Sequence, residues 1–227
     1  MKEHRDLTRE AMDDNRVADA GRRDLLKAGA TFAMSTGIPS LMASTSAQAE
    51  IPSSGGAKTL ILASHPYPDR SVVNKALWDV AEKAQGAYFR NLDSVYGDNL
   101  RGFDRAAERR LYQQMERLVL IFPIHWFNLT PMLKAYMNEV WGSGAPPELR
   151  GKELFVVTTT AGGEDAYSPK GRLGFTIEEV LTPLRASANY TGMKFAKPLC
   201  FFAASGDAGP LRRYQEALAA RLREQPR

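Results

Sequence analysis

The sequence predicts a three-layer α/β sandwich, with five parallel strands in the order 2-1-3-4-5 and helices on both faces. Two observations carry this. From Lys58 onward, short apolar runs alternate with stretches whose apolar residues recur at helical spacing. The apolar runs are also nearly continuous, as strands buried on both faces require. Such alternation folds through right-handed crossovers into a parallel sheet. Five strand–helix units in about 175 residues fit the 2-1-3-4-5 order.

The first strand is KTLILAS (58–64). The stretch 71–86 then places Val73, Leu77, Val80 and Ala84 on one helical face and stops at Gly86. AYFRNL (87–92) reads as the second strand, and 104–117 as a helix with Ala107, Leu111 and Met115 inward. RLVLIFP (117–123) is the third strand. Thr130 offers an N-cap hydroxyl and Pro131 a first helical residue, opening PMLKAYMNEVWG. ELFVVTTT (153–160) is the fourth strand, and Pro183 should kink the helix predicted over 176–192. KFAKPLCFFAAS (194–205) reads as the fifth strand, with GPLRRYQEALAARLREQ as the closing helix.

In an open parallel sheet the ligand lies at the carboxyl ends of the strands, beside the switch point between strands one and three. Three loops reach that place. After strand one, His65-Pro66-Tyr67-Pro68-Asp69-Arg70-Ser71-Val72-Val73-Asn74 is neither a Walker loop nor a G-x-G-x-x-G turn. Ser71 stands at the expected helix start, so the amides of Ser71, Val72, Val73 and Asn74, with His65, can hold an anion. An ordinary capped helix start explains Ser71 equally simply. After strand three, Pro123 and Pro131 bracket Ile124, His125, Trp126, Phe127, Asn128 and Leu129. A stiff loop of this kind can wall a planar heteroaromatic ligand, or its two large aromatics can plug the end of the sheet. After strand four come Thr159, Thr160, Ala161, Gly162 and Gly163, small residues that let backbone approach a flat ligand, and then a long loop from Glu164 to Phe175.

Composition excludes other classes. The chain has 30 Lys+Arg against 26 Asp+Glu, and its basic residues are scattered rather than striped, which argues against nucleic acid. One cysteine and three histidines provide poorly for a metal site, so none is expected. Cys200, among Leu199, Phe201 and Phe202, reads as an inert core residue. Residues 1–49 are read as a targeting segment. Arg22-Arg23-Asp24-Leu25-Leu26-Lys27 resembles a twin-arginine signal, a weakly apolar stretch follows, and Ala47-Gln48-Ala49 is a cleavage pattern. This predicts a signal over 1–49, a linker over 50–57 and one domain over 58–227, exported to the periplasm, or cytoplasmic if the signal is not used.

Together the three loops resemble the NAD(P)H:quinone oxidoreductases, flavin enzymes of flavodoxin-like fold that include the Kef ancillary oxidoreductases and the drug-activity-modulator type. The residues that carry the resemblance are His65-Pro66-Tyr67-Pro68 with Ser71 and Asn74, Pro123-Ile124-His125-Trp126-Phe127 with Pro131, Leu133 and Lys134, and Thr159 to Gly163. Leu149-x-Gly151-Lys152 and Tyr190-x-Gly192 support them. The resemblance implies a flavin, FMN with FAD as the alternative, with its phosphate at His65 and Ser71, Val72, Val73 and Asn74. Its ring would lie between Ile124, His125, Trp126 and Phe127 and the loop of Thr160, Ala161, Gly162 and Gly163. It also implies hydride transfer from reduced nicotinamide through the flavin to a quinone-like acceptor, in a homodimer whose second copy covers the flavin.

Tyr167 matches a catalytic tyrosine of the larger members, but Leu173 stands where they carry a histidine. Export would also separate the protein from the cytoplasmic nicotinamide pool. Two other readings compete: a flavin-binding ancillary subunit of a membrane transporter, and a flavodoxin-like electron carrier.

Overall fold

A computed structural model describes residues 58–226; the expected signal segment and linker lie outside the described residues. The strands are β1 (Thr59–Ala63), β2 (Ala87–Asn91), β3 (Arg117–Pro123), β4 (Glu153–Thr159), β5 (Lys194–Phe195) and β6 (Leu199–Phe201). The ladder runs β2-β1-β3-β4-β5, all parallel, and β6 also pairs with β4. This is the flavodoxin-like α/β class and the expected order. The fifth position, however, is two segments rather than one strand. Between the pairs Glu153–Lys194 and Val157–Leu199, β4 advances four residues and its partner five. One residue is therefore inserted near Pro198, which has no N–H to give the ladder, and the strand breaks there.

The helices are α1 (Val73–Glu82), α2 (Leu92–Tyr96), α3 (Arg105–Gln114), α4 (Pro131–Tyr136), α5 (Ile177–Val180), α6 (Thr182–Thr191) and α7 (Ala208–Arg223). Short α2 escaped the sequence reading. The helix expected over 176–192 is divided into α5 and α6, with Pro183 in the first turn of α6, where its missing N–H costs nothing. Thr176 and Glu179 close a capping box at the start of α5. Thr130 caps α4 as expected, accepting the Leu133 amide at 3.3 Å. Beyond Tyr136 that helix widens into a π turn, Met137–Trp141, closed by the Gly142 amide on the Met137 carbonyl at 3.3 Å.

The two-residue period of the strands builds two cores. Leu60, Leu62, Leu118, Leu120, Phe122, Leu154 and Val156 face α3, α4 and α6, meeting Leu111, Leu133, Val140 and Leu184. Ile61, Ala63, Val119, Ile121, Phe155 and Val157 face α1 and α7, meeting Leu77, Trp78, Ala81 and Leu218. Each fully buried aliphatic side chain contributes on the order of 1.5–3 kcal/mol.

The first of these cores also holds a polar network. Glu108, fully buried on α3, accepts Arg90, Tyr96 and the Tyr136 hydroxyl, the last at 3.0 Å. Tyr136 and Tyr112 share a hydroxyl contact of 2.6 Å, and the Trp141 indole donates to Tyr112 at 3.1 Å. Arg109 donates to the carbonyls of Val140 and Trp141, at 3.0 and 3.2 Å. The network thus fastens α3 to the π turn.

Candidate functional site: an anion-ready helix start and an aromatic turn at the strand ends

The carboxyl ends of β1, β3 and β4 bring the three sequence-predicted loops together. The ladder continues past the strands: the Ser64 amide donates to Ile121 at 3.0 Å, Ile124 to Thr159 at 2.9 Å, and Thr160 to Phe201 at 3.0 Å. Ser64 and Thr130 hydroxyls meet at 2.6 Å and tie the loop after β1 to the cap of α4.

In the first loop Pro68–Arg70 forms a single 3-10 turn, and the Ser71 amide is spent on the Pro68 carbonyl at 3.2 Å. This corrects the expectation for Ser71 in two ways: its amide is not free, and its hydroxyl does not cap α1. The residue at the cap position is Val72, which has no side-chain acceptor. The first helical bond runs from the Ala76 amide to the Val72 carbonyl, so the amides of Val72, Val73, Asn74 and Lys75 are left without partners among the described residues. With the helix dipole they form an anion-ready helix start.

Asn74 is buried in that first turn. Its Nδ2 donates to the Thr159 hydroxyl at 3.2 Å, while its Oδ1 is buried without a partner among the described residues. Turning the amide over would instead leave an N–H₂ group unanswered. Either way one buried polar group of this loop is left open among the described residues.

His65 is buried beside it. Its Nδ1 accepts the Tyr67 amide at 2.9 Å, which puts the proton of the neutral ring on Nε2, and its own amide donates to Asp93 Oδ2 at 2.9 Å. Burial, reinforced by nearby His125, holds the His65 imidazole below its usual pKa. Burial pushes the Asp93 carboxyl up, against the hydrogen bond it accepts from His65. Asp93 was missed in the sequence. It follows β2, whose carboxyl end the 2-1-3 order places beside His65, so topology could have pointed to it.

The loop after β3 is a tight reverse turn. The Asn128 amide donates to the His125 carbonyl at 3.2 Å, and the same two residues form an isolated antiparallel bridge. Both central residues are left-handed, Trp126 at φ 50° and Phe127 at φ 59°. A turn of this kind favours Asn or Gly there, and each bulky residue so held costs about 1–2 kcal/mol. Trp126 is 93% exposed, which overturns the plug reading for that ring. Phe127, 48% exposed, leans over a small cleft lined by Leu181, Pro183 and Leu184. Backbone strain of this kind clusters at ligand clamps and switch regions of proteins. His125 is exposed below the rings, with its imidazole 5.7 Å from that of His65 and 6.3 Å from the Tyr67 ring.

In the loop after β4, Thr160 is buried and its hydroxyl donates to the Gly162 carbonyl at 2.8 Å. The amides of Ala161, Gly162 and Gly163 make no hydrogen bond among the described residues. A Cβ at Gly162 would stand 3.2 Å from the Tyr167 ring, tighter than ordinary van der Waals contact. Gly171 closes the loop so tightly that a Cβ would lie 2.2 Å from the Asp165 carbonyl. Tyr167 is only 8% exposed, packed on Phe202 with ring centres 5.5 Å apart, and its hydroxyl turns toward Thr160. The expected catalytic phenol is thus held inward, with burial and then Cys200 raising its pKa. Burial likewise pushes the Cys200 thiol up to about 12, in keeping with an inert residue. Leu173 packs against the core, its amide on Ala166.

The larger clefts, of about 560 and 550 Å³, lie elsewhere, between α4 and α6 and between α1 and α7. Volume is a poor guide here, because neither cleft holds the uncapped helix start, the orphaned Asn74 atom or the strained turn.

The chain is 34% identical over 150 residues to general stress protein 14 of Bacillus subtilis, covering 64% of this chain and 85% of that one. It is 32% identical to the glutathione-regulated potassium-efflux system ancillary protein KefF of Klebsiella aerogenes, covering 70% and 93%. Among solved structures it resembles general stress protein 14 of Treponema denticola in complex with FMN, at 29% identity and TM-score 0.66, covering 73% and 97%. It also resembles an NADPH-quinone reductase of P. pentosaceus, at 25% identity and TM-score 0.65, covering 74% and 99%. A family model described as a flavodoxin-like fold matches residues 57–224, and this chain belongs to that flavodoxin-like family.

Proposed function

We propose that this chain is an FMN-dependent oxidoreductase that takes hydride from NADH or NADPH and delivers two electrons to a quinone-like acceptor. One observation carries the reading: the uncapped start of α1 and the strained turn that presents Trp126 and Phe127 meet the same strand end, Asn74 bonding the Thr159 hydroxyl and Ile124 the Thr159 carbonyl, with the His65 and His125 rings 5.7 Å apart. A phosphate and a flat ring system joined by a polar chain match the helix start, the turn and the Asn74 amide in order. The FMN of the Treponema denticola relative and the NADPH-quinone reductase name of the other support the cofactor and the acceptor class.

The amides of Val72 to Lys75 would hold the phosphate with the α1 dipole, and His65 would offer Nε2–H. Asn74 would answer a polar group of the cofactor. Trp126 and Phe127 would lie along the ring, with the unbonded amides of Ala161, Gly162 and Gly163 at its edge. When bound, the flavin supplies the hydride chemistry; the protein supplies position, electrostatics and exclusion of water. A homodimer whose second copy covers Trp126 belongs to the same proposal, as does export on the Arg22-Arg23 pattern. Similarity to KefF favours a second reading, an ancillary subunit that binds flavin and docks on a transporter. The exposed aromatic turn suits a diffusing acceptor better than a simple electron carrier.

The test is to purify the full chain, identify any released flavin, add NADH or NADPH anaerobically, and then add a benzoquinone. The expected result is bound FMN that bleaches with nicotinamide and recovers with quinone. Asn74→Ala should weaken FMN binding by about 1–3 kcal/mol, roughly five- to 160-fold, for loss of a buried hydrogen-bonding group. A chain that takes up no flavin after reconstitution would overturn the site. One that binds FMN but turns over no quinone would favour the ancillary reading.

A further inference from the structure

We infer that His125 is the proton donor to the reduced acceptor, with His65 as the neutral neighbour that leaves the proton to it. The inference rests on the quinone-reductase reading and adds the residue that completes the chemistry. Two-electron reduction of a quinone to a hydroquinone adds one hydride and one proton. The bound flavin is the source of the hydride. The proton must come from a group at the mouth of the site that changes charge near neutral pH.

Three candidate groups are disposed of by position. Tyr167 is buried with its hydroxyl turned to Thr160. Leu173 has no proton to give and packs against the core. His65 has Nδ1 engaged by the Tyr67 amide at 2.9 Å, so protonating that nitrogen would break the bond that shapes the loop.

His125 has none of these ties. It sits in the turn that carries Trp126 and Phe127, is exposed to solvent, and has a ring with no hydrogen bond among the described residues. The groups around it are His65 and Tyr67, with ring centres at 5.7 and 6.3 Å. Behind them stand Asp93, bonded to the His65 amide, and Arg70, 5.9 Å from the centre of the Tyr67 ring. On the β4 side Thr159 to Gly163 carry no charge. A second cation beside an imidazolium 5.7 Å away is disfavoured, and burial disfavours charge on His65, so the exposed ring is the one placed to carry a proton to the acceptor.

In the step itself a new O–H bond forms on the acceptor oxygen as the N–H bond of the His125 imidazolium breaks. The acceptor gains the hydride with its electron pair and leaves as hydroquinone. Neutral His125, open to solvent, then recovers a proton from water.

The experiment uses the full chain and the variants His125→Gln and His65→Gln. Without flavin, nitrogen NMR of the imidazoles reads each charge state; His65 should stay neutral, with its proton on Nε2, to lower pH than an ordinary imidazole, as its burial and the nearby His125 require. In FMN-saturated protein, stopped-flow spectroscopy separates reduction by NADPH from reoxidation by benzoquinone. His125→Gln should slow reoxidation at least tenfold more than reduction, and its reoxidation rate should lose its fall toward high pH. Reoxidation that keeps its rate and pH profile in His125→Gln, in protein that still binds FMN and reduces quinone, overturns this inference alone. The same holds if His65 takes up its proton at no lower pH than an ordinary imidazole. Wild-type protein that binds no flavin or reduces no quinone overturns it together with the reading beneath it.

Discussion

Two polar constellations lie at opposite fates in this molecule. Inside the first core, Glu108 is closed from every side: its two oxygens take Arg90, Tyr96 and Tyr136, and the chain of hydroxyls runs on through Tyr112 to the Trp141 indole. At the carboxyl ends of the strands the opposite holds. Among the described residues Asn74 Oδ1 is buried and unanswered, four amides at the start of α1 have no partner, and Trp126 and Phe127 sit in left-handed conformations. The difference lies in number and place: the closed network leaves only Arg90 Nε of its buried polar atoms unanswered among the described residues, while the open groups gather at the strand ends, where parallel α/β sheets bind ligands.

The largest effect expected from breaking this contrast is at the closed constellation. Glu108→Ala leaves the Arg90 guanidinium buried without its carboxylate, which should cost about 3–5 kcal/mol. Urea unfolding reads that loss directly. Because total stability of such domains is about 5–15 kcal/mol, Glu108→Gln serves as the milder companion. In the protein that remains folded, FMN affinity should be within about twofold of wild type, since nothing in the network reaches the α1 start. A variant that stays stable yet loses the flavin would make the network part of the site and dissolve the contrast.

A smaller effect of opposite sign is expected at the open constellation. Phe127→Gly relieves about 1–2 kcal/mol of left-handed strain and loses about 0.5–1 kcal/mol to chain entropy. The urea midpoint should therefore hold or rise slightly, while quinone reduction slows for want of the ring. Destabilisation by more than about 1 kcal/mol would mean that Phe127 is mainly a core residue, lodged against Leu181, Pro183 and Leu184.

The contrast also explains what the sequence could disclose. Strand order, the Thr130 cap and the approach of all three loops to one place were legible, because periodicity and chain order impose them. The break at Pro198 was not. A run of apolar residues in 194–205 looks like one strand, and only pairing against β4 shows the extra residue. Ser71 misled because its side chain suits a cap, whereas the preceding 3-10 turn consumes its amide and shifts the helix start to Val72. Tyr167 could be aligned but not oriented: the space left by Gly162 that draws its ring inward is a three-dimensional fact. The left-handed turn at Trp126 and Phe127 runs against local preference, so no propensity argument could have placed it.

The smallest expected effect distinguishes the two constellations by pH. The buried tyrosines Tyr112 and Tyr136 are pushed well above their usual pKa by burial, so these two hydroxyls keep their protons from acid to neutral pH. At the open site His65 is held below its usual value by burial and by His125. Its neutral form is thus the one the fold favours. Above about pH 6.5 the ring is neutral folded or unfolded, and its contribution is fully present. As pH falls below that, the unfolded chain binds a proton the folded chain resists, and stability is lost until the folded value is reached. Asp93 works the other way and at lower pH. Its carboxyl is raised, so the folded state takes up its proton first and gains stability as acid is added through the carboxylate range. Urea midpoints of the flavin-free chain at pH 7.5 and 5.5 should therefore show a fall that His65→Gln diminishes. If acidification to pH 5.5 stabilised the wild type relative to His65→Gln, His65 would be the protonated partner of the pair, and the open site would be organised around a cation rather than a neutral ring.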